Sequence, residues 1–129
     1  CSEAMVKDVG AVAIGDGKWE IYIGGAAGSH IRKGDVLCTV QSEEEVLRLA
    51  GRFMQYYREN AKWKERTYTF VERVGLERIR AVVVEDSEGI AAELDAAMDA
   101  SIAVVRDPWK EGGAPKTANQ FASLVPAEG

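Results

Sequence analysis

The spacing of apolar and polar positions changes once along the chain, from a period of two to a helical period. Residues 9–15 and 18–24 are short runs rich in apolar and β-branched side chains, which predicts two strands. They are separated by Asp16-Gly17, a dipeptide typical of a two-residue hairpin turn. The chain therefore opens with a predicted antiparallel hairpin.

Alternation within the next runs indicates which side chains face the core. The second run places three large apolar residues on one face: Trp19, Ile21 and Ile23. A third run, residues 35–41, alternates Val36, Cys38 and Val40 against Leu37 and Thr39. We therefore predict a third strand in which Cys38 is a small buried hydrophobic residue.

A helical period begins at residue 42. Ser42 and Glu45 have the spacing of a capping box, in which the hydroxyl accepts from the Glu45 N–H and the carboxylate accepts from the Ser42 N–H. The predicted helix runs to about Asn60. Its core-facing stripe consists of Val46, Leu47, Ala50, Phe53, Met54 and Tyr57.

Three further segments complete the helical part of the chain. A helix predicted over residues 62–74 ends at Gly75. Its residues at helical spacing are Trp63, Thr67, Phe70, Val71 and Val74. Residues 76–85 fit either a helix or a buried strand, and a helix is favoured. An amphipathic helix after Ser87 is predicted to end before Asp107. Its core stripe consists of Ile90, Leu94, Ala97, Met98, Ile102 and Val105.

These elements predict an α+β fold, with a small antiparallel sheet near the N-terminus followed by three or four packed helices. The sheet is placed within residues 9–41 and the helices within residues 42–106. Residues 112–129 lack periodicity and are predicted to form an irregular tail.

Composition narrows the classes of function. The 129 residues are 47% apolar and 29% charged, as in an ordinary soluble domain. A net charge of −5 argues against nucleic acid or an anionic membrane as a partner, and no apolar run reaches the roughly 18 residues of a membrane span. Two cysteines, Cys1 and Cys38, are too few for a disulfide framework and fit a reducing, cytoplasmic setting. With one histidine, an all-protein zinc site is not expected.

Three segments of the first 25 residues resemble siroheme-containing nitrite and sulfite reductases. They are residues 1–4 (CSEA), 7–10 (KDVG) and 19–25 (WEIYIGG). In that family such segments follow the last cysteine of a 4Fe-4S cluster. The chain begins at Cys1 without an initiator Met, which favours a C-terminal fragment of such an enzyme.

Later segments make the resemblance narrower. Residues 51–59 (GRFMQYYRE), 65–67 (ERT) and 70–75 (FVERVG) are similar to the large subunit of NAD(P)H-dependent assimilatory nitrite reductases. The likeness covers roughly residues 1–110 and depends on the ordered set of segments. It implies that residues 1–111 are the C-terminal part of a siroheme and 4Fe-4S reductase domain.

The resemblance implies roles for five residues. Cys1 would be the metal ligand, a thiolate that bridges the cluster and the siroheme iron. Gly24 and Gly25 would lie close to the cofactor, where their backbone N–H groups approach anionic groups. Arg32 and Lys33 would bind siroheme carboxylates.

The resemblance also implies what the chain lacks. The full-length enzyme would reduce nitrite to ammonium with siroheme and a 4Fe-4S cluster, and would carry FAD and NAD(P)H on domains outside this chain. The expected partners are the remainder of the same polypeptide and a small subunit. No catalytic residue is expected here, no cofactor should bind the chain alone, and the isolated chain should be inactive. Many relatives have Asn after the paired glycines, where this chain has Ala26.

Two other interpretations stay open. Residues 30–40 resemble the Lys-Gly-Asp turn of biotinyl or lipoyl carrier domains, which need a hairpin where this chain has a predicted helix. A free-standing interaction domain, docking through its helical part, also fits the composition. The loop over residues 24–28 has the glycine spacing of neither a P-loop nor a dinucleotide-binding turn.

Overall fold

The computed structural model describes residues 2–107, apart from the side chain of Ser2. A 3-10 helix, Ser2–Val6, precedes the strands. The strands of this described part are β1 (Val9–Gly15), β2 (Lys18–Ile23), β3 (Ala26–Ala27), β4 (Ile31–Arg32) and β5 (Asp35–Val40). Its α-helices are α1 (Glu43–Asn60), α2 (Thr67–Val74), α3 (Leu76–Val83) and α4 (Ala91–Ala103). The predicted α+β class is confirmed, whereas the predicted tail over residues 112–129 lies outside the described residues.

The main sheet is antiparallel, with the strand order β1-β2-β5. The hairpin between β1 and β2 turns at the predicted dipeptide, where Asp16 and Gly17 have φ values of 53° and 71°. Two successive positive φ values match the right-handed twist of the flanking strands. β3 and β4 form a separate short ribbon inside the glycine-rich loop, which the sequence pattern did not predict.

A register shift corrects the predicted alternation of the third strand. Ile21 pairs with Cys38 and Tyr22 pairs with Val36, so Leu37 is the extra residue of a β-bulge. Leu37 is 2% exposed, while Cys38 is only partly buried beside the core. The prediction that Cys38 is a buried hydrophobic residue is thus only half right, because the bulge gives the core position to Leu37.

The start of α1 follows the predicted cap with one difference. The Ser42 hydroxyl accepts from the Glu45 N–H at 3.2 Å, as expected. The Glu45 carboxylate accepts from the N–H of Gln41 at 2.9 Å, and not from that of Ser42. Leu47 was placed in the core stripe by its spacing but is 75% exposed. Successive residues of a helix point about 100° apart, so Leu47 faces solvent although its neighbour Val46 is partly buried.

The second helix begins later than predicted. Residues 62–65 form a turn, with the Glu65 N–H donating to the Lys62 carbonyl at 3.0 Å and Lys64 at a φ of 58°. α2 therefore starts only at Thr67. Trp63, predicted to face the core, lies on this turn and is 90% exposed.

The last two helices follow the predicted order. Gly75 separates α2 from α3, and residues 76–83 are helical, as favoured. α4 ends at Ala103, before Asp107, but Ile102 and Val105 are exposed where the stripe predicted burial. The helices pack on one face of the sheet around a shared core. Its fully buried larger side chains are Phe53, Phe70, Ile21, Ile23, Leu37, Ile79, Leu94, Val71, Val82 and Val83.

Candidate functional site

The loop between β2 and β5 is joined to the residues that follow Cys1. We call Ser2–Asp8 the N-terminal segment. Three loop N–H groups donate to its carbonyls: Gly24 to Asp8 at 3.0 Å, Gly25 to Lys7 at 3.0 Å and Gly34 to Met5 at 2.7 Å. The three glycines are buried, so these bonds are shielded from water.

The N–H groups of the paired glycines are therefore already used within the chain. The family resemblance implied that they approach an anionic group; in the fold they donate to the carbonyls of Asp8 and Lys7. Gly24 has a φ of 71°, and a Cβ atom there would lie 2.9 Å from Cγ2 of Val71. A side chain at this position would strain the backbone and collide with α2, so the fold itself requires glycine here. Contact between Gly24 or Gly25 and a cofactor stays a prediction.

Arg32 has three partners within the chain. Its Nη1 donates to the Gly24 carbonyl at 2.8 Å, its Nη2 to Asp35 at 2.9 Å and its Nε to Glu72 at 3.1 Å. The side chain is 19% exposed. Arg32 thus joins the loop to β5 and α2, and a carboxylate ligand would have to share a guanidinium group that is already bonded.

Lys33 differs from its neighbour because it is exposed. Within residues 2–107, no carboxylate lies within ion-pair distance of its ammonium group. Of the two predicted cationic partners for a carboxylate, Lys33 is therefore the one that the fold leaves accessible.

The far end of the N-terminal segment is fastened to α2. The Asp8 carboxylate accepts a short hydrogen bond from the Thr67 hydroxyl and two longer ones, at 3.4 Å, from Arg66. Thr67 is buried at the start of α2. Sequence reasoning missed this contact, because the two residues are 59 positions apart and neither pattern points to the other.

The side-chain atoms that could ligate a metal determine which cofactor the chain could hold. Cys1, the predicted ligand, lies outside the described residues. Burial raises the pKa of the Cys38 thiol, against a smaller lowering by Arg80, which makes Cys38 a poor thiolate ligand. Among residues 2–107, no group of three or more His, Cys, Asp or Glu could hold a metal ion. In that part every buried polar side-chain atom also has a partner. The described residues thus form no complete metal site by themselves, and the role of Cys1 as a ligand stays a prediction.

Comparison with known proteins decides the family. Residues 1–90 match the profile of the nitrite and sulphite reductase 4Fe-4S domain, which is well over half of the chain. The chain belongs to this family. The match includes Cys1, the paired glycines and the whole sheet, so the resemblance predicted from the sequence is confirmed.

The curated relatives of this nitrite and sulphite reductase domain are longer proteins. An NAD(P)H nitrite reductase of Bacillus subtilis is 45% identical over 111 residues, covering 86% of this chain and 13% of that protein. The large subunit of an NADH nitrite reductase of Escherichia coli is 30% identical, covering 97% of the chain and 15% of the relative. An assimilatory-type sulfite reductase of Nitratidesulfovibrio vulgaris is 40% identical, covering 65% of the chain and 38% of the relative. No solved structure matches the chain.

The competing interpretations are not favoured. A carrier domain needs a hairpin after the Lys-Gly-Asp turn, whereas α1 begins at Glu43, directly after β5. The family match also leaves the free-standing interaction domain without support of its own. No helix in the described part of the chain is long and apolar enough to cross a membrane.

Proposed function

We propose that this chain is one segment of a nitrite reductase that uses siroheme and a 4Fe-4S cluster to reduce nitrite to ammonium. The observation that carries the proposal is the 45% identity over 111 residues to the Bacillus subtilis nitrite reductase. The segment supplies one cluster ligand and a scaffold, and the catalytic residues lie elsewhere in the polypeptide. The isolated chain is inactive, because a single available thiolate cannot hold a cluster.

Each site residue has a distinct task in this proposal. The soft thiolate of Cys1 would hold iron, and the cluster and the siroheme would supply the electrons and the iron that binds nitrite. Gly24 and Gly25 bring the loop close to the cofactor. Lys33, which is exposed, donates to a siroheme carboxylate. Arg32, bonded to Gly24, keeps the loop in place and offers its remaining N–H groups to a second carboxylate.

The other parts of the enzyme are assigned to regions outside this chain. FAD and NAD(P)H bind to separate domains of the same polypeptide, and a small subunit is a further partner. The chain spans 13% to 38% of the length of the three relatives described above, which supports a larger assembly around it. The net charge of −5 argues against nucleic acid as a partner, and we place the enzyme in the cytoplasm.

The test uses the full-length polypeptide, purified without oxygen. Wild type, Cys1→Ser and the matched control Cys38→Ser are compared by optical and paramagnetic spectroscopy. We expect siroheme magnetically coupled to a cluster in wild type and in Cys38→Ser, and loss of the coupled signal in Cys1→Ser. Absence of siroheme from the wild-type protein would refute the proposal.

The identity of the substrate needs a separate measurement. The relatives include nitrite reductases and one sulfite reductase, and the higher identity belongs to a nitrite reductase. We expect kcat/KM of the full-length enzyme to be greater for nitrite than for sulfite, with reduced nicotinamide as the electron donor. A greater kcat/KM for sulfite would mean that the enzyme is a sulfite reductase and would contradict nitrite as the substrate.

A further inference from the structure

Two glycines hold the N-terminal segment at distances that only glycine permits. A Cβ atom on Gly10 would overlap the carbonyl oxygen of Ala4 and lie 2.7 Å from its carbonyl carbon. A Cβ atom on Gly25 would lie 2.6 Å from the carbonyl oxygen of Lys7 and 2.7 Å from that of Met5. Both contacts are with backbone, which cannot move aside as a flexible side chain does, so any larger residue shifts the segment.

Gly34 completes this arrangement from the other end of the loop. Its N–H donates to the Met5 carbonyl at 2.7 Å, and a Cβ atom there would lie 2.9 Å from the carbonyl oxygen of Ile23. We call Gly10, Gly25 and Gly34 the glycine lock. Together they fix the segment from three separate places in the sequence.

The segment is also held on its opposite end. The Asp8 carboxylate accepts from the hydroxyl of Thr67, which is buried at the start of α2. The Gly24 N–H donates to the Asp8 carbonyl at 3.0 Å. The glycine-rich loop therefore binds the backbone of Asp8, and α2 binds its side chain. These two contacts fix the position of the N-terminal segment relative to the sheet.

We infer that the glycine lock and the contact between Asp8 and Thr67 are positioning elements for the Cys1 thiolate. The inference rests on the proposed function, in which Cys1 is a cluster ligand. A single peptide bond joins Cys1 to Ser2, so the locked segment begins at the residue next to the ligand. Groups that orient a metal ligand are required for binding although they do not touch the metal.

The same loop contains a matched control. Gly28 is exposed, has no positive φ and has nothing within 4 Å of the place where a Cβ atom would be. Replacing Gly28 by Ala changes the composition of the loop in the same way as replacing Gly25, but leaves the N-terminal segment in place. A second control is Ile79→Ala, which opens a cavity in the core on α3 and destabilises the fold without a change to the lock.

The experiment measures the fraction of full-length protein that carries coupled siroheme and cluster, by paramagnetic spectroscopy. Thermal unfolding of each variant identifies those that fold. We expect Gly25→Ala to lower the coupled fraction about tenfold, while Gly28→Ala and Ile79→Ala keep the wild-type fraction. If Gly25→Ala does not fold, Thr67→Val carries the test, because it removes the donor to Asp8 at nearly constant volume, and a severalfold loss is expected.

Two results would overturn the inference. One is a wild-type coupled fraction in a folded Gly25→Ala or Thr67→Val protein. The other is an equal loss in Ile79→Ala, which would show that the signal follows stability and not position. In both cases wild type keeps its coupled spectrum and the proposed function stands. Absence of a coupled spectrum in wild type removes the proposed function itself, and the inference with it.

Discussion

The guanidinium group of Arg52 donates two parallel hydrogen bonds to the carboxylate of Asp95, at 2.9 Å and 2.8 Å. A third bond, from Nη1 to the Val83 carbonyl, measures 2.8 Å. One side chain thus joins α1, α4 and the end of α3. The hydrogen bond from Arg52 is the main cause that lowers the pKa of Asp95 below its ordinary value.

Arg52→Lys tests the value of this planar contact. A lysine ammonium group cannot reproduce the bidentate bond and also reach the carbonyl, so we expect a loss of about 1–3 kcal/mol in the free energy of unfolding. The control is Arg78→Lys, at an exposed ion pair with Glu88, where a change below about 1 kcal/mol is expected. Urea denaturation measures both. Equal losses of unfolding free energy in the two variants would contradict a special contribution of the bidentate contact between Arg52 and Asp95.

Acid should weaken the fold through Glu65. Its carboxylate accepts two hydrogen bonds from Arg73, which together with the Lys62 N–H lower the pKa of Glu65 from 4.5 to about 2. The contribution of this carboxylate to stability is present above pH 4.5 and is lost as the pH falls toward 2. We expect Glu65→Gln to be less stable than wild type at neutral pH.

The difference between wild type and Glu65→Gln should shrink as the pH falls below 4.5. Urea midpoints measured along a pH series give this difference directly. Arg73→Gln removes the main cause of the lowered pKa, so it should reduce the same pH dependence. A difference that stays constant from neutral to acidic pH would contradict the prediction.

Phe70 is the centre of an aromatic cluster under α1. Its ring centroid lies 5.4 Å from that of Tyr57, 5.8 Å from that of Tyr56 and 6.4 Å from that of Phe53. Phe70 is fully buried, so Phe70→Ala should cost about 3–5 kcal/mol of unfolding free energy. Trp63→Ala, at an exposed turn, should change it by less than about 0.5 kcal/mol. Comparable effects in denaturant titrations would show that Trp63 is part of the core.

The Cys38 thiol should react slowly in the folded chain. Burial raises its pKa above the ordinary value of 9.0, so little thiolate is present near neutral pH. In a Cys1→Ser background, we expect alkylation to become about tenfold faster when urea unfolds the chain. Mass spectrometry over time measures the rate. Equal rates with and without urea would mean that Cys38 is open to solvent.

Local patterns predicted the elements of this fold well. The hairpin at Asp16-Gly17, the N-cap at Ser42 and the stop at Gly75 depend on residues close together in sequence, and all three were found. The helical preference of residues 76–83 was also confirmed. The resemblance to nitrite and sulfite reductases likewise depended on ordered local segments, and the family match bears it out.

Local patterns failed where a tertiary contact or an irregular backbone decided the outcome. A bulge at Leu37 moved the core position away from Cys38, and a turn at Lys64 carried Trp63 into solvent. Periodicity assumes regular geometry, so a single irregular residue changes which side chains face the core.

The contacts of the paired glycines could also be seen only in the tertiary structure. The family resemblance implied that the N–H groups of Gly24 and Gly25 lie near an anionic cofactor. The fold shows that they donate to carbonyls of the segment after Cys1. Glycine in a sequence shows that space or backbone freedom is needed, but not what occupies the space. The sequence alone indicated the family and the order of the main-sheet strands and the helices. Only the packing of distant segments decided what the loop holds, because close backbone contacts leave no periodic signal.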